Sequence, residues 1–314
     1  MTGIPSICVV GGVNVDIAGF PDAKLIPGDS NPGHVSLSLG GVGRNIAESL
    51  VRLSAKVYLV TLLGDDLYAD WIRKGCERAG IDLSLSGEMK GMSSGMYLCV
   101  NDEQGNLTTA ISDMRLCDAI TPTFLKDRLP ALNASDAVVV DANLPSETLR
   151  WIANHVKVPI AADPVSVKKA DRLRDILPAL TLLKPNLPEA LRILGSDETT
   201  MNPSFAAKTL ASAGVRNVML TMGSQGAFYA DANDSGHQPC LTETVVSTNG
   251  CGDAALAASF LAILKGYDLR KAALLGQAAS AICARSPKAV NPEMTWDAVC
   301  ELAFQHEQDM EEIS

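Results

Sequence analysis

Residues 247–264 have the sequence STNGCGDAALAASFLAIL, in which a loop of small residues continues directly into a long apolar segment. From residue 254 to residue 264 this segment carries no charged side chain, so the helix that it predicts is apolar on all sides. Other elements must cover such a helix, including its N-terminus. The stretch therefore predicts a layered fold with this helix inside it.

Short apolar runs alternate with segments of helical period along the rest of the chain. The apolar runs are bounded by Gly, Asp or Pro and predict buried strands at 7–10, 57–61, 137–140, 159–162, 180–183 and 218–221. The helical segments lie at 42–53, 67–79, 147–155, 187–194 and 205–213. This order is typical of an α/β fold with a doubly wound, mainly parallel sheet, whose ligands bind beyond the carboxyl ends of the strands.

Two stretches depart from this alternation. Residues 34–39 alternate polar and apolar side chains, and residues 96–111 predict two strands joined by a turn at 101–106. We interpret both stretches as a small β lid outside the main sheet. Because no linker or long repeat is visible, the sequence predicts one domain over residues 1–314, with lid segments at about 15–40 and 93–116.

The composition excludes several classes of function. With 26 basic and 36 acidic residues, the net charge of −10 disfavours nucleic acid and anionic membranes as partners. No apolar stretch approaches the ~20 residues of a membrane span, and the four histidines lack metal-binding spacing. The cysteines form no C-x-x-C pair and predict buried free thiols in a reducing cytoplasm: Cys8, Cys76, Cys99, Cys117, Cys240, Cys251, Cys283 and Cys300.

The loop before the apolar helix is the strongest chemical signal. Gly250 and Gly252 let the backbone approach a ligand closely, and the free N–H groups of a first helical turn bind anions. Asp253 would repel a phosphate, so beside such an anion hole it is better explained as a base that takes a proton from an attacking hydroxyl. Helix capping is the alternative role for this residue.

Other small-residue segments favour the functional interpretation. Residues 221–226, TMGSQG, follow an apolar strand and predict a second glycine loop at a carboxyl end. Residues 276–284 predict a helix of small side chains, followed by a loop that contains Asn291. Small residues in these places can mean close helix packing, and they also leave space for a flat ring between two loops.

Polar residues also follow the first strand. Asn14 and Asp16 come after it, and residues 40–47, GGVGRNIA, open a helix. Carboxylate and amide groups at strand ends can bind the vicinal hydroxyls of a sugar. Turn formation is the alternative, and it explains Gly43 better than it explains Asp16.

These motifs together resemble the ribokinase-like (PfkB) carbohydrate and nucleoside kinases, over nearly the whole chain. The resemblance rests on Asn-x-Asp at residue 14, Gly-Gly-x-x-x-Asn at residue 40 and Gly-x-Gly-Asp at residue 250. Residues 29–33, 40–47, 113–114, 163–166 and 184–186 are further similar to the pseudouridine kinases of that family. The resemblance implies a ribokinase-like fold and an ATP- and Mg²⁺-dependent kinase of the pseudouridine 5′-hydroxyl.

The same resemblance implies roles for individual residues. Asp253 would be the base, and Gly250, Cys251 and Gly252 would form the anion hole. Substrate contacts would come from Asn14, Asp16, Ser30, Asn31, Gly40, Gly41, Asn45 and Asp113. The nucleotide side would be formed by Asn186, Thr221, Gly223, Gly226, Ala278 and Asn291. Glu189 would act on Mg²⁺ through water.

The chain also departs from the family pattern. Asn249 and Cys251 replace the Thr and Ala of the usual Thr-Gly-Ala-Gly-Asp, and Cys251 adds bulk and sensitivity to oxidation beside the phosphates. Ser247 stands where many members carry Asp or Asn next to a monovalent-cation site, which leaves K⁺ activation open.

Several alternatives remain from the sequence. The acceptor could be another nucleoside or a free sugar such as ribose or a ketohexose. A nucleoside-binding regulator without catalysis would fit the altered loop but not the presence of Asp253. A dinucleotide-dependent oxidoreductase is disfavoured, because Ile46 occupies the last position of the required glycine pattern. Family resemblance also allows a homodimer that forms through the lid.

Overall fold

The computed structural model describes residues 3–196 and 201–313. The strands are β1 (Ser6–Val10), β2 (Asn14–Pro21), β3 (Gly33–Gly40), β4 (Lys56–Val60), β5 (Leu62–Leu63), β6 (Gly87–Glu88), β7 (Met96–Asn101), β8 (Leu107–Asp113), β9 (Ala137–Asp141), β10 (Ile160–Asp163), β11 (Leu182–Leu183), β12 (Val218–Thr221), β13 (Ala227–Ala230) and β14 (Ser235–Gln238). The helices are α1 (Val42–Arg52), α2 (Leu67–Arg78), α3 (Pro122–Lys126), α4 (Leu129–Ala134), α5 (Ser146–His155), α6 (Val167–Ala170), α7 (Leu187–Leu194), α8 (Pro203–Ser212), α9 (Cys251–Leu264), α10 (Leu269–Ala284) and α11 (Trp296–Ile313). Short 3₁₀ turns lie at Arg115–Ala119, Asp171–Ala179 and Gly223–Gln225.

The central sheet has the strand order β14-β13-β12-β11-β10-β9-β1-β4. All its neighbouring strands from β12 to β4 are parallel, and only the β12–β13 and β13–β14 pairs are antiparallel. The predicted mainly parallel sheet is therefore confirmed. The carboxyl ends of its parallel strands lie along one edge, where ligands of such sheets bind.

Side-chain alternation along the strands builds a separate core on each face of this sheet. In β1, Ile7 and Val9 point into one core, which α1, α2, α9, α10 and α11 cover. Cys8 and Val10 point into the other, which α3 to α8 cover. Helices on both faces agree with the sequence prediction of a doubly wound fold.

Helix α9 lies inside the first of these cores, as its composition predicts. Residues 253–262 are all buried. Its packing against α10 is close, because an added Cβ on Gly276 would lie 2.1 Å from the Ser259 Oγ atom. The small residue at position 276 therefore serves helix packing, which was one of the two alternatives for this segment.

A second sheet of four strands, which we call the lid sheet, has the order β3-β2-β7-β8. One of its faces presents a row of apolar residues paired across the strands, Leu37, Ile17, Leu98 and Ile111. The opposite face presents the paired row Ser38, Asp16, Tyr97 and Ser112. The lid sheet thus has a polar face and an apolar face, and its strands fall within or at the ends of the predicted lid segments.

Three features differ from the sequence predictions. Strand β11 begins at Leu182 rather than at residue 180, because the Leu180 N–H donates to the Leu177 carbonyl in a turn. The β13–β14 hairpin was not predicted. Of the eight free cysteines, Cys99, Cys240, Cys251 and Cys300 are partly exposed rather than buried. Within the described residues, no helix combines the length and apolarity needed to cross a bilayer.

Candidate active site

Four of the predicted substrate residues and Gly250 of the predicted anion-hole loop line one large cavity. Its volume is about 1390 Å³, and it lies beside the polar face of the lid sheet and extends around edge strand β3 to Leu37. Predicted site residues in its lining are Asn14, Asp16, Gly41, Asn45 and Gly250. The structure therefore brings together segments that are more than 200 residues apart in the chain.

Asp253 lies in the first turn of α9 and is almost fully buried. Its Oδ2 atom accepts a hydrogen bond of 3.0 Å from the Nδ2 group of Asn45, in the first turn of α1. No side chain caps α9, because its N-cap is Gly250. Asp253 is thus not the N-cap of its helix, and its carboxylate faces the residues predicted to bind the sugar.

The surroundings of Asp253 favour its protonated form. Burial, and after it the negative charge of Asp163, raise the pKa of Asp253 to about 8, although Asn45 and Lys184 favour the carboxylate. A carboxyl group with such a pKa can accept and release a proton near neutral pH.

Asp16 and its neighbours line the candidate sugar end of the cavity. The Asn14 amide donates to the Asp16 carboxylate, and an added Cβ on Gly40 would lie 2.2 Å from the Asp16 Oδ2 atom. Burial raises the pKa of Asp16, while Asn14 and the charge of Arg44 oppose this shift. The carboxylate is therefore held in one position, with the glycine giving it room.

Two glycines at this edge adopt backbone conformations that other residues rarely reach. Gly41 has φ 98°, and an added Cβ would lie 2.6 Å from the Gly12 carbonyl oxygen. Gly250 has φ 77°, and an added Cβ would lie 1.8 Å from the Ala289 carbonyl oxygen. Both positions require glycine for conformation and for space.

A buried ion pair lies next to this loop. The Lys184 Nζ atom is 3.1 Å from the Asp163 Oδ2 atom, and both side chains are buried. Burial tends to lower the pKa of Lys184, but the nearby carboxylates of Asp163, Glu189 and Asp253 outweigh it and leave the pKa raised. Lys184 is therefore a charged lysine buried beside this loop.

The model of the pfkB family of carbohydrate kinases matches residues 5–296. The chain belongs to this family. A pseudouridine kinase of Escherichia coli (strain K12) is 30% identical over 294 residues, covering 92% of this chain and 93% of that protein. A guanosine-inosine kinase of Exiguobacterium acetylicum is 27% identical over 295 residues, covering 92% and 97%.

A solved structure gives the same fold. Arabidopsis thaliana ribokinase complexed with ribose and ATP matches with a TM-score of 0.83 at 23% identity, covering 96% of this chain and 99% of that one. The pfkB kinase described here accordingly has the ribokinase-like fold and is a phosphotransferase with a hydroxyl group as acceptor.

The residues predicted to act on the nucleotide and on Mg²⁺ are partly assembled in this pfkB kinase. Asn186 caps α7, and its side chain and that of Glu189 each accept a hydrogen bond of 2.9 Å from the other's backbone. Asn186 also pairs with Thr221, which brings the second glycine loop next to α7. Gly223 and Gly226 both have positive φ, as a tight loop requires.

The carboxylates near α7 could bind Mg²⁺ only together with water molecules or phosphate groups. Among the described residues, no three His, Cys, Asp or Glu side chains are placed to bind a metal directly. Mg²⁺ in kinases is commonly bound by one or two carboxylates together with substrate phosphates and water. Glu189 and Asp163, which face the same buried lysine, are the carboxylates that could hold it in this way.

Two residues predicted on the nucleotide side, Ala278 and Asn291, are buried and make contacts within the protein. Ala278 in α10 has no exposed surface. The Asn291 amide donates to the Ile282 carbonyl at 2.6 Å, while its oxygen accepts from the Glu293 N–H. Asn291 thus joins the end of α10 to the following turn, and the assignment of both residues to the nucleotide stays a prediction.

Three of the predicted substrate residues, Ser30, Asn31 and Asp113, lie outside the cavity lining. Ser30 is exposed, and the Asn31 side chain is bonded to the backbone of Ile26 and Asp29 in its own loop. Asp113 forms an ion pair of 2.6 Å with Arg115, which lowers the pKa of Asp113. In this conformation none of the three reaches the sugar end.

The sequence analysis assigned no role to Lys184, Asp163 or Lys169. Lys169 lines the cavity, and its Nζ atom lies 2.5 Å from the Asn143 Oδ1 atom. A signal was available, since Asp163 ends β10 and Lys184 directly follows β11. Charged residues at the carboxyl ends of neighbouring parallel strands are expected to meet.

Proposed function

We propose that this pfkB kinase transfers the γ-phosphoryl group of ATP, with Mg²⁺, to the 5′-hydroxyl of pseudouridine. The observation that carries the proposal is the hydrogen bond between Asp253 and Asn45. It joins the candidate base at the anion-hole loop directly to the candidate sugar site. A hydroxyl held at that point would lie between its base and the phosphate site.

The proposed reaction is an in-line displacement. Asp253, as carboxylate, takes the proton of the acceptor hydroxyl while the oxygen of that hydroxyl forms a bond to the γ-phosphorus. The bond from this phosphorus to the β–γ bridging oxygen breaks, and ADP leaves. The N–H groups of residues 250–252 stabilise the charge that develops on the phosphoryl oxygens. Glu189 and Asp163 would hold Mg²⁺ through water or phosphate, and the ion would neutralise charge on the phosphates.

A ribosyl acceptor is supported by the hydrogen-bonded pair Asn14 and Asp16 in the cavity lining. Pseudouridine is supported by residues 29–33 and 184–186, which resemble that branch, and by the pseudouridine kinase at 30% identity. Another nucleoside is the first alternative, because the guanosine-inosine kinase is nearly as similar. A free sugar such as ribose is the second.

The experiment is a measurement of ADP formation with ATP and Mg²⁺ against pseudouridine, uridine, guanosine, inosine, ribose and fructose, with the product mass determined. We expect pseudouridine to give the highest kcat/KM. Preference for another acceptor would contradict the substrate and leave the kinase intact. Asp253→Asn is the matched control, with a loss in kcat of at least ~10² expected from removal of a general base.

We also propose a homodimer that forms through the apolar face of the lid sheet. Leu37, Leu98 and Ile111 on this face are between 41% and 67% exposed. Continuous apolar surface of this kind commonly marks an interface. A second copy of the chain could bury the same row against itself.

A further inference from the structure

Lys184 brings a buried positive charge to the anion-hole loop. Its position is rigid, because it follows strand β11 directly and its backbone N–H donates to the Ala162 carbonyl. An added Cβ on Gly252 would lie 3.0 Å from the Lys184 Nζ atom. The ammonium group therefore lies directly against the loop whose N–H groups face the candidate phosphate site.

The protein partners of this ammonium do not satisfy all its donors. Among the described residues, Asp163 is the only carboxylate within 4 Å of the Nζ atom. A lysine ammonium has three N–H donors, and each buried donor without an acceptor costs free energy. The geometry leaves Lys184 able to donate to a further acceptor at the loop.

The charges around Lys184 explain why a phosphate needs it. Three carboxylates, Asp163, Glu189 and Asp253, act on this one ammonium. Without it, these three carboxyl groups would have no protein cation beside them to offset their repulsion of a triphosphate. A cation that touches Gly252 can offset this repulsion where the transferred group must lie.

We propose that Lys184 is a catalytic residue that donates a hydrogen bond to an oxygen of the transferred phosphoryl group, beside the backbone of Gly252. Asp163 is a positioning residue that holds the ammonium. The proposal rests on the proposed kinase function. Lys184 keeps its proton throughout, because the proton of the acceptor passes to Asp253, and its hydrogen bond strengthens as charge develops on the phosphoryl oxygens.

Three variants separate this role from a purely structural ion pair. Lys184→Met removes the cation and leaves Asp163 buried without a partner, which can prevent folding. Asp163→Asn keeps the cation, and the double variant D163N/K184M removes both charges and keeps a neutral core. If the ion pair is purely structural, Asp163→Asn and the double variant should have similar kcat values. If Lys184 is catalytic, their kcat values should differ.

We expect the double variant to have a kcat at least ~10² below that of Asp163→Asn, the range for loss of a transition-state donor. Calorimetry with Mg²⁺ should show affinity for the ATP analogue AMPPNP reduced at least ~10-fold relative to Asp163→Asn. Affinity for AMP, which lacks the γ-phosphate, should stay within about twofold.

A kcat ratio below tenfold between these variants, or an equal loss of AMPPNP and AMP affinity, would overturn the role of Lys184. The binding measurement needs no acceptor. If the wild-type enzyme phosphorylates none of the acceptors, the proposed function fails, while the contrast between AMPPNP and AMP still decides whether Lys184 contacts the γ-phosphate.

Discussion

At Asp253, the protonated form favours the stability of the fold, whereas the proposed base needs the ionised form. Its carboxyl group is buried, accepts a hydrogen bond from Asn45, and has its pKa raised to about 8 by burial and by Asp163. A base must be ionised to act, and burial makes the ionised form costly. Ionised Asp253 therefore lowers the stability of the fold, and as the proposed base it has a proton affinity that suits physiological pH.

This balance predicts a pH-dependent rate. Because the carboxylate is the active form, kcat/KM for the acceptor should rise up to about tenfold per pH unit below pH 8 and become constant above it. The measurement is the initial rate from pH 6 to pH 9.5 at saturating Mg²⁺-ATP. A constant kcat/KM over that range would contradict the raised pKa of Asp253.

The same pKa predicts the sign of a stability change. The folded value of about 8 exceeds the ordinary 3.8, so the stabilisation is complete below pH 3.8 and is lost as the pH rises through 8. Asp253→Asn should therefore raise the Tm relative to wild type by an amount that grows from pH 5 to pH 8. Asp70→Asn, an exposed carboxylate in an ion pair with Arg73, is the control and should show no such growth.

Cys251 is a second residue whose chemistry follows from its contacts. A hydrogen bond from Cys283 lowers the pKa of the Cys251 thiol, against the effect of burial, and the side chain is partly exposed in the anion-hole loop. A partly exposed thiol with a lowered pKa is a preferred target for alkylation, and at the proposed phosphate site a bound nucleotide would shield it. We expect iodoacetamide to inactivate the enzyme and Mg²⁺-ATP to protect it.

Cys251→Ala should retain activity and resist iodoacetamide, since Ala is the residue that the family usually carries there. Cys300→Ala, which removes another partly exposed thiol, should be inactivated as fast as wild type. Equal inactivation of Cys251→Ala and wild type would exclude Cys251 as the sensitive group.

At the scale of elements, the approach to α9 depends on the conformation of one glycine. Gly250→Ala introduces a methyl group that would lie 1.8 Å from the Ala289 carbonyl oxygen, at φ 77°. Either the loop or residue 289 must move, so we expect a loss of at least ~2 kcal/mol in unfolding free energy and a lower kcat.

Gly266→Ala is the matched control for this change. Gly266 also has a positive φ, 90°, but an added Cβ meets no atom within 4 Å. Gly266→Ala therefore measures the cost of a positive φ alone, about 1 kcal/mol, without the clash that Gly250→Ala makes with residue 289. If thermal and chemical unfolding show the same loss for both variants, the close contact with Ala289 is not what makes Gly250 necessary.

The elements themselves were largely predictable because local patterns determine them. Helix α7 was predicted with its exact bounds, since Asn186 and Glu189 form a capping box that is visible in the sequence. The β13–β14 hairpin was missed because β14 has the polar sequence SGHQ, which contains no apolar run and no regular alternation. Local pattern thus predicts long elements better than short ones at a sheet edge.

The site was predictable only in part, because its contacts depend on strand order. Asn45 and Asp253 were each identified from their own motifs, but the hydrogen bond between them joins residues 208 positions apart. Lys184 and Asp163 meet because β10 and β11 are neighbours in the sheet. The sequence places both residues at strand ends, but the strand order that makes β10 and β11 neighbours was not assigned from it, so the ion pair was not predicted.

At the scale of the whole molecule, the lid sheet determines how copies of the kinase could associate. Its polar face lies at the cavity, and its apolar row faces away from the paired polar row. The edges of the lid sheet are β3 and β8, so the predicted hairpin at 96–111 contributes one interior strand, β7, and one edge strand, β8. The exposed apolar row lies on the face of the sheet, which favours association through the face.

A face-to-face dimer predicts that charge on the apolar row separates the copies. In the double variant Leu98→Glu and Ile111→Glu, like charges would be buried against each other at the interface, at a cost of several kcal/mol. We expect sedimentation equilibrium to give a dimer for wild type and a monomer for this variant. Phe205→Glu, on α8 of the main domain, is a control of similar exposure, 61% against 67% for Ile111, and should remain dimeric. A wild-type monomer at ~50 µM, well above the Kd of a standard interface, would exclude the apolar row as a stable interface.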